Sequence, residues 1–451
     1  MSSCTRFKVA ICGGGIGGLV TAVALSKYPG IEVEIYETAH KLTELGAGIG
    51  LFSRPWEVIR RLGLEPELLQ FTEVKPTDGP VTAFRYRKSD RPTGVEFYTL
   101  KTQGHLMTFH RPDFQKVLLS HLPASYQIHC SKRLRSYYQR NGHPITLLFE
   151  DGTEATCDVL LGADGLKSAV RRSLLGEKVH RAQKEERWTD AADLTALIEP
   201  SWSGTNAYRA LVPGDMLRSK HPNHRVLTQP TQYLGKNGYI IAYPISKGKY
   251  VNVVAFKSQH ELEGSKFDGS WVCPVDKSEY VRMFEGWEPE VLSLLECVEK
   301  PLRWAIHCVK PLPTTVSGHV ALLGDAAHAT VPHQGSGAGS AIEDAYMLAT
   351  VLGHPTTTQA NISRSLSIYD RIRRPFSHRV QERAKLNGLY FTFSCLEIKF
   401  DQVPEDKLLS KLKLLGQVFT KNWEWSWTTS IEPSVQEALK LLDEDPSETN
   451  L

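Results

Sequence analysis

Hydrophobic positions along this chain change their period several times, and each change marks an element. Residues 8–12 form a short apolar run that ends in glycines, as a strand buried on both faces does. Residues 19–27 carry helix formers, Pro29-Gly30 stops them, and residues 32–37 resume as a strand. The three together predict a strand–helix–strand unit. Residues 53–69 predict a helix with Pro55 tolerated in its first turn. Residues 81–100 alternate like a strand, and 111–121 are helical again. Residues 145–149, the Asp151-Gly152 turn and residues 155–161 predict a hairpin whose second strand runs into Gly162-Ala163-Asp164-Gly165. From about 188 to 304 the pattern is β-rich, with strands expected at 206–212, 239–245 and 250–256. Residues 320–323 predict one more buried strand, feeding Gly324-Asp325, and helices dominate from 340 onward. No internal repeat or low-complexity tract interrupts the pattern.

Composition narrows the reading without deciding it. A chain of 451 residues suits two or three domains, and 41% hydrophobic with 23% charged residues is ordinary for a soluble globular protein. The net charge of +3 gives no case for nucleic acid or a membrane surface. Eight scattered cysteines, with no CxxC pair and no cysteine–histidine cluster, read as reduced thiols and predict no metal site. No apolar stretch is long enough for a membrane span, and the centre of residues 7–25 is glycine rather than leucine, unlike a signal peptide. The cytoplasm is the expected location.

The chemistry lies in three glycine-centred segments far apart in sequence. Gly13, Gly15 and Gly18 fit G-x-G-x-x-G between a strand and a helix: a tight turn, a close pyrophosphate approach and close helix–strand packing. The helix N-terminus offers free N–H groups and positive dipole to phosphates. Glu37, at the end of the second strand, can accept from both ribose hydroxyls and would repel a phosphate there, so the site suits FAD or NAD rather than NADP. Asp164 and Asp325 each follow a leucine-rich strand and a glycine, facing the ligand edge of a parallel sheet; either alone could equally cap the next turn. The loop from His333 to Gly339 opens a helix and can aim N–H groups at a flavin edge. It is not a G-x-S-x-G nucleophile elbow, because Ser336 directly follows Gly335. His328 and His333 are expected as loop hydrogen-bonders rather than acid/base groups. The three segments together point to FAD.

Over residues 8–380 the chain resembles the single-component FAD-dependent aromatic monooxygenases of the para-hydroxybenzoate hydroxylase fold, in particular their fungal salicylate hydroxylase-like branch. The motifs that carry the resemblance are Gly13 to Gly18 with Glu37, Gly46-Ala47-Gly48-Ile49, Arg111-Pro112-Asp113-Phe114, Gly162 to Gly165, and Gly324 to Gly339 with Ile342-Glu343-Asp344-Ala345. The resemblance implies that Glu37 holds the adenosine ribose, that Gly48 and Gly50 pass along the cofactor, and that Arg111 contacts its pyrophosphate or ribityl part. It implies that Asp164 touches FAD and the nicotinamide donor, that Asp325 binds the ribityl chain, and that Gly337 and Ala338 line the isoalloxazine. The donor, NADH or NADPH, would dock transiently, since no second G-x-G-x-x-G is present.

Arg209 and Tyr243, expected on adjacent strands of the β-rich layer, resemble an arginine–tyrosine pair that holds a substrate phenolate in dearomatising fungal members. Arg209 could instead anchor a carboxylate or pair with a structural acid, and Tyr243 could be a core tyrosine. Arg54 and Trp56 replace small polar residues of the family and are expected to reshape the pocket beside the flavin. The run Arg371-Ile372-Arg373-Arg374 with His378 and Arg379 reads as an exposed helix face. Trp423, Trp425 and Trp427 read as C-terminal packing or a dimer contact rather than a substrate lid.

The expected fold is α/β: a discontinuous FAD-binding Rossmann-like domain (residues 1–80, 101–185 and 300–375), a β-sheet substrate-binding layer (81–100 and 186–299) and a C-terminal helical region (376–451). The resemblance implies a monomer or homodimer that uses NAD(P)H and O2 to hydroxylate a small phenol, a hydroxybenzoate-type acid with decarboxylation, through a flavin C4a-hydroperoxide. An epoxidase or dearomatase of a secondary metabolite, and more remotely a non-catalytic flavoprotein redox sensor, are the alternatives.

Overall fold

The apolar run at the start becomes the strand Phe7–Cys12, at the centre of a six-stranded sheet in a computed structural model that describes residues 5–42, 48–72, 74–140, 142–395 and 399–444. The strand order is Val316–Ser317, Val320–Leu322, Val159–Gly162, Phe7–Cys12, Ile31–Tyr36 and Gln127–His129, and all neighbours but the first pair are parallel. The register aligns the strand ends. Cys12 pairs with both Gly162 and Tyr36, and Gly162 pairs with Leu322. Four strands therefore end level, and the segments that leave them emerge along one edge.

The helix Ile16–Leu25 is apolar almost all round and is buried, as such a composition requires. The helix Gly337–Gly353 packs beside it. The hairpin expected at 145–161 splits at Asp158. Glu154–Cys157 pairs antiparallel with Ile145–Phe149, whereas Val159–Gly162 joins the parallel sheet. Asp158 makes the switch: its Oδ2 accepts from Lys8 N at 2.8 Å while its own N–H donates to Lys8 O at 2.9 Å. The helix expected at 53–69 breaks into Ser53–Arg61 and Glu65–Leu68 at Gly63, whose φ of +79° stops it.

An eight-stranded sheet forms the second layer, in the order Val272–Pro274, Leu302–Cys308, Ser201–Pro213, Tyr250–Ser258, Gly238–Ile245, Thr231–Gly235, Pro80–Lys88 and Val95–Gln103. The alternating stretch 81–100 is thus a hairpin, and the β-rich region starts at Ser201, because Ala169–Lys184 and Trp188–Thr195 are helical. Leu302–Cys308 pairs with Ser201–Pro213, so the chain returns to the parallel sheet after residue 308 rather than at 300. The helix Ile362–Phe391 runs unbroken through the boundary expected at 376. No helix among the described residues is long and apolar enough to cross a membrane.

Arg373, expected on an exposed face, is buried in a charge cluster. Its Nε donates to Asp344 at 2.8 Å and its Nη1 to Glu343 at 2.7 Å, while Arg54 Nε reaches Glu343 at 2.9 Å. Arg54 also donates to Thr429 Oγ1 and Ser430 O, tying the C-terminal tail to the helix Gly337–Gly353. Arg54 is thus held in this buried cluster, and Trp56 is core, stacked on Phe109 and hydrogen-bonded to Glu65. Trp423 and Trp427 pack on Phe52, and Trp425 packs on Phe376.

Two buried cations face two buried anions, so removing one leaves an uncompensated charge. Arg373→Met is expected to destabilise the fold by about 3–5 kcal/mol in denaturant unfolding; a change below about 1 kcal/mol would show that the cluster is solvated in practice.

Candidate active site

The level strand ends and the inner face of the eight-stranded sheet enclose a cavity of about 680 Å³, inside the range of pockets that bury a cofactor or small ligand. Of the residues expected at the site, Gly13, Gly15 and Glu37 line it, as do Gly48, Gly50 and Arg111; so do Asp164, Asp325, Gly337 and Ala338, and so do Arg209 and Tyr243. Gly18 does not. A Cβ on Gly18 would stand 2.0 Å from Gly13 O, so its part is to let the helix close on the strand. Gly46 and Ala47 lie outside the described residues.

Gly13 has a φ of +109°, and a Cβ there would meet Ala163 O at 2.2 Å. The glycine loop thus rests directly on the second motif's backbone. Beyond it the helix Ile16–Leu25 starts with no side-chain cap and no acid in its first turn, and the helix Gly337–Gly353 starts in the same way. Two sets of free N–H groups therefore open into one cavity, which is the donor set a pyrophosphate and an electron-rich flavin edge require. Glu37 accepts from Gly14 N and Ala39 N, each at 2.7 Å, which holds its carboxylate at the mouth of the loop. Gly48–Leu51 pairs antiparallel with Met107–His110, and this ribbon brings Gly48 and Gly50 beside Arg111. These residues fit FAD.

The two aspartates divide the readings open to them. Asp164 caps the helix Ala169–Lys184, accepting from Ser168 Oγ at 2.5 Å, Ala169 N at 2.7 Å and Val170 N at 3.1 Å, and burial pushes its pKa up despite these bonds. It caps and lines the cavity at once. Asp325 is exposed to the cavity, with an oxygen 4.0 Å from where a Cβ on Gly337 would stand. His328 and His333 are hydrogen-bonders, as expected: His328 Nε2 lies 2.5 Å from Asp344 Oδ2, and His333 Nδ1 2.7 Å from Tyr239 Oη. Burial lowers the His333 pKa to about 3, with a smaller push from His260.

Arg209 and Tyr243 are not on adjacent strands. Tyr250–Ser258 lies between them, pairing Val254 with Arg209 on one side and with Ile241 on the other. All of these side chains line the cavity. Arg209 has no carboxylate within ion-pair distance among the described residues, its Nε is buried without a hydrogen bond, and its guanidinium lies over the Trp304 ring at 5.6 Å. Burial pushes its pKa down, Tyr243 opposes that, and Arg111 adds to it. Tyr243 Oη lies 3.4 Å from where a Cβ on Gly48 would stand, so it reaches from the eight-stranded sheet to the ribbon. Gln232 also lines the cavity and carried no sequence signal, and Trp423, expected as C-terminal packing or a dimer contact, lines it as well.

Gly13→Ala carries strain of order 1–3 kcal/mol and is expected to lower FAD retained at limiting concentration about tenfold or more; full retention would contradict this loop geometry. His333 gives a pH prediction. Below pH ~6.5 the unfolded chain binds a proton that folded His333 refuses, so stability falls on acidification by about 1.4 kcal/mol per pH unit toward pH 5. His333→Asn should flatten that slope in urea titrations, and an unchanged slope would exclude His333 as its source.

The profile of the family described as FAD binding domain matches residues 6–233 and 312–384. The FAD-dependent monooxygenase str9 of Strobilurus tenacellus is 32% identical over 97% of this chain and 98% of its own length. A salicylate hydroxylase of Pseudomonas putida is 34% identical over 96% of this chain and 94% of its own length. Among solved structures, a salicylate hydroxylase substrate complex matches with a TM-score of 0.79 at 30% identity, covering 97% of this chain and 98% of that one.

Proposed function

This chain belongs to the FAD binding domain family and is an FAD-dependent aromatic monooxygenase, and from that premise we propose that it hydroxylates a small hydroxybenzoate-type acid at the expense of NAD(P)H and O2. The observation that carries the reading is Arg209: a guanidinium in the cavity wall with no acid to neutralise it among the described residues. A buried cation without a counter-charge is costly unless a ligand supplies one. An anionic substrate does so. The similarity to salicylate hydroxylases supports the same class.

Arg209 takes the carboxylate or phenolate of the substrate, and Tyr243 donates to the same anion from the other side of the intervening strand. A free phenol has a pKa of about 10, so ionising it at neutral pH asks for about 4 kcal/mol. A close guanidinium supplies ~1–3 pKa units of that, and the tyrosine hydrogen bond adds to it. Ionisation matters because the ring must attack an electrophilic oxygen. Bound FAD supplies electron transfer from NAD(P)H to O2. Val254 and Ile241 form an apolar floor for the ring between the two polar anchors. Attack at the carbon that bears the carboxylate expels it: a salicylate-type anion, NAD(P)H, O2 and two protons give the diol, NAD(P)+, water and CO2.

The cofactor roles extend the same reading. Glu37 holds the adenosine ribose. Gly13 and Gly15 admit the pyrophosphate, Gly18 closes the helix behind them, and Arg111 takes the phosphates or the ribityl chain. Asp325 bonds the ribityl hydroxyls, Asp164 orders the crossover beside them, and Gly337 and Ala338 present N–H groups to the ring. Gly48 and Gly50 let the cofactor pass along the ribbon. The parallel sheet is the FAD-binding half, and the eight-stranded sheet is the substrate half.

The test is NADH and NADPH oxidation by the FAD-loaded protein with salicylate and its isomers, following O2, peroxide and CO2 together. One acid should accelerate oxidation with little peroxide and with CO2 matching the reduced nucleotide consumed. Arg209→Gln should lower kcat/KM for that acid on the order of 30-fold or more while FAD stays bound. Background rates with every acid, or an Arg209→Gln enzyme of native kcat/KM, would overturn the proposal.

A further inference from the structure

The C-terminal tail supplies one wall of the cavity. Trp423 ends the helix Glu405–Trp423 and lines the cavity from beyond residue 384, where the match to the FAD binding domain profile stops. The helix is seated on the eight-stranded sheet. Phe419 packs on Tyr86 with ring centroids 4.5 Å apart, Thr420 Oγ1 donates to Tyr98 Oη at 3.1 Å, and a Cβ on Gly416 would meet the Tyr98 ring at 2.4 Å. Trp423 itself stands edge-on to Phe52, a second wall residue, at 5.3 Å. The loop that opens the helix Gly337–Gly353 is pinned to the same place. Gln334 Nε2 donates to Asn422 O at 3.3 Å and to Arg383 O at 3.2 Å, and Asn422 Nδ2 donates to Arg383 O and Asn387 Oδ1, each at 2.8 Å. The indole is thus fixed against both the sheet and that loop.

Strand register says which end of the cavity it closes. Arg209 pairs with Val254, Val254 with Ile241, Ile241 with Gln232 and Gln232 with Tyr86. Residues paired across neighbouring strands share a face, so this row crosses the inner face of the sheet from Arg209 to Tyr86. Phe419 sits on Tyr86, and Trp423 follows it by one helical turn, about 6 Å along the axis. Trp423 and Phe52 therefore close the cavity at the end away from Arg209. A ring with its anion on Arg209 and its face on Val254 and Ile241 directs its far edge at the indole.

This role asks for no hydrogen bond, only van der Waals contact, and a close-packed wall has little room for added methylenes. We propose that Trp423 sets how large a substituent the substrate carries on the ring carbons remote from its anion. Specificity at that edge is then written in the C-terminal helix rather than in the FAD-binding segments. The inference rests on the hydroxybenzoate reading above and adds a size limit at a stated edge.

The experiment measures kcat/KM of the FAD-loaded enzyme for salicylate and for its 4-ethyl and 5-ethyl derivatives. In the native enzyme at least one derivative should fall about tenfold or more below salicylate. Trp423→Ala should raise the ratio of that derivative to salicylate by about tenfold or more. Trp427→Ala is the control, because Trp427 packs on the same Phe52 at 5.3 Å but stands outside the cavity lining. It should change both substrates together and leave their ratio alone. If Trp423→Ala does not fold, Trp423→Phe keeps an aromatic ring in the core and has to move the ratio in the same direction. A native enzyme that takes both derivatives as well as salicylate overturns the proposal. So does a ratio that stays put in the folded Trp423 variants with FAD retained, or one that shifts equally in Trp427→Ala, since loosening of the tail then explains it. If no hydroxybenzoate, alkylated or not, stimulates oxidation, the broader reading has failed and this one falls with it. Salicylate turnover that depends on Arg209, with a ratio indifferent to Trp423, defeats this inference alone.

Discussion

Backbone contact between segments distant in sequence is the constraint on which this structure depends. Gly13 rests on the Ala163 carbonyl and Gly18 on the Gly13 carbonyl at distances that leave no room for a side chain, Gly324 at a φ of +56° closes tightly on Ala341, and Gly17 meets Ala341 in ordinary van der Waals contact. The first contact joins the N-terminal loop to the crossover after Val159–Gly162. The others bring the helices Ile16–Leu25 and Gly337–Gly353 together with the turn at Gly324-Asp325. Level strand ends make these approaches geometrically possible, and the Arg373–Glu343–Asp344 cluster holds the late helix in place from behind. Asp344 acts on both sides of that helix, because it also accepts from Gly324 N. Both helix N-termini consequently point into one cavity with their N–H groups free.

The two sheets contribute different physics to that cavity. The parallel half offers mostly backbone: N–H groups, glycines and dipoles, which bind a cofactor through features no single side chain carries. The antiparallel half offers side chains projecting from a regular face, where spacing between polar groups is fixed by strand separation. Arg209 and Gln232 are held at the two ends of one row by that spacing. Tyr243 crosses from the second half to the Gly48 ribbon and links them. Arg111 lowers the Arg209 pKa further, which means that two cations feel each other across the cavity, and an anion entering it relieves the repulsion.

Much of the first half was legible in the sequence, because its requirements are local and written in residue type. A positive φ or a close approach calls for glycine, and a strand ending in glycine announces a loop; the Gly13, Gly162 and Gly324 segments carried those marks. The second half was harder to read. Residues 206–212, 239–245 and 250–256 showed as strands, but order in the sheet is a long-range property, and the strand between Arg209 and Tyr243 left no trace in their spacing. Arg373 looked like a solvated cation because its partners Glu343 and Asp344 lie on a different helix. Arg54 was expected near the flavin, but Glu343 and the tail at Thr429 and Ser430 draw it away. Asp158 ended a strand that alternation alone would have continued.

In the proposed complex an aromatic acid lies against the eight-stranded sheet with its anion on Arg209, facing a flavin held by the three glycine segments. A crystal structure of the FAD complex with a bound hydroxybenzoate tests this arrangement most directly. A carboxylate or phenolate oxygen is expected within hydrogen-bonding distance of the Arg209 guanidinium, with the ring over Val254 and Ile241. An acid bound elsewhere, with Arg209 turned away to pair with a protein carboxylate, would contradict it.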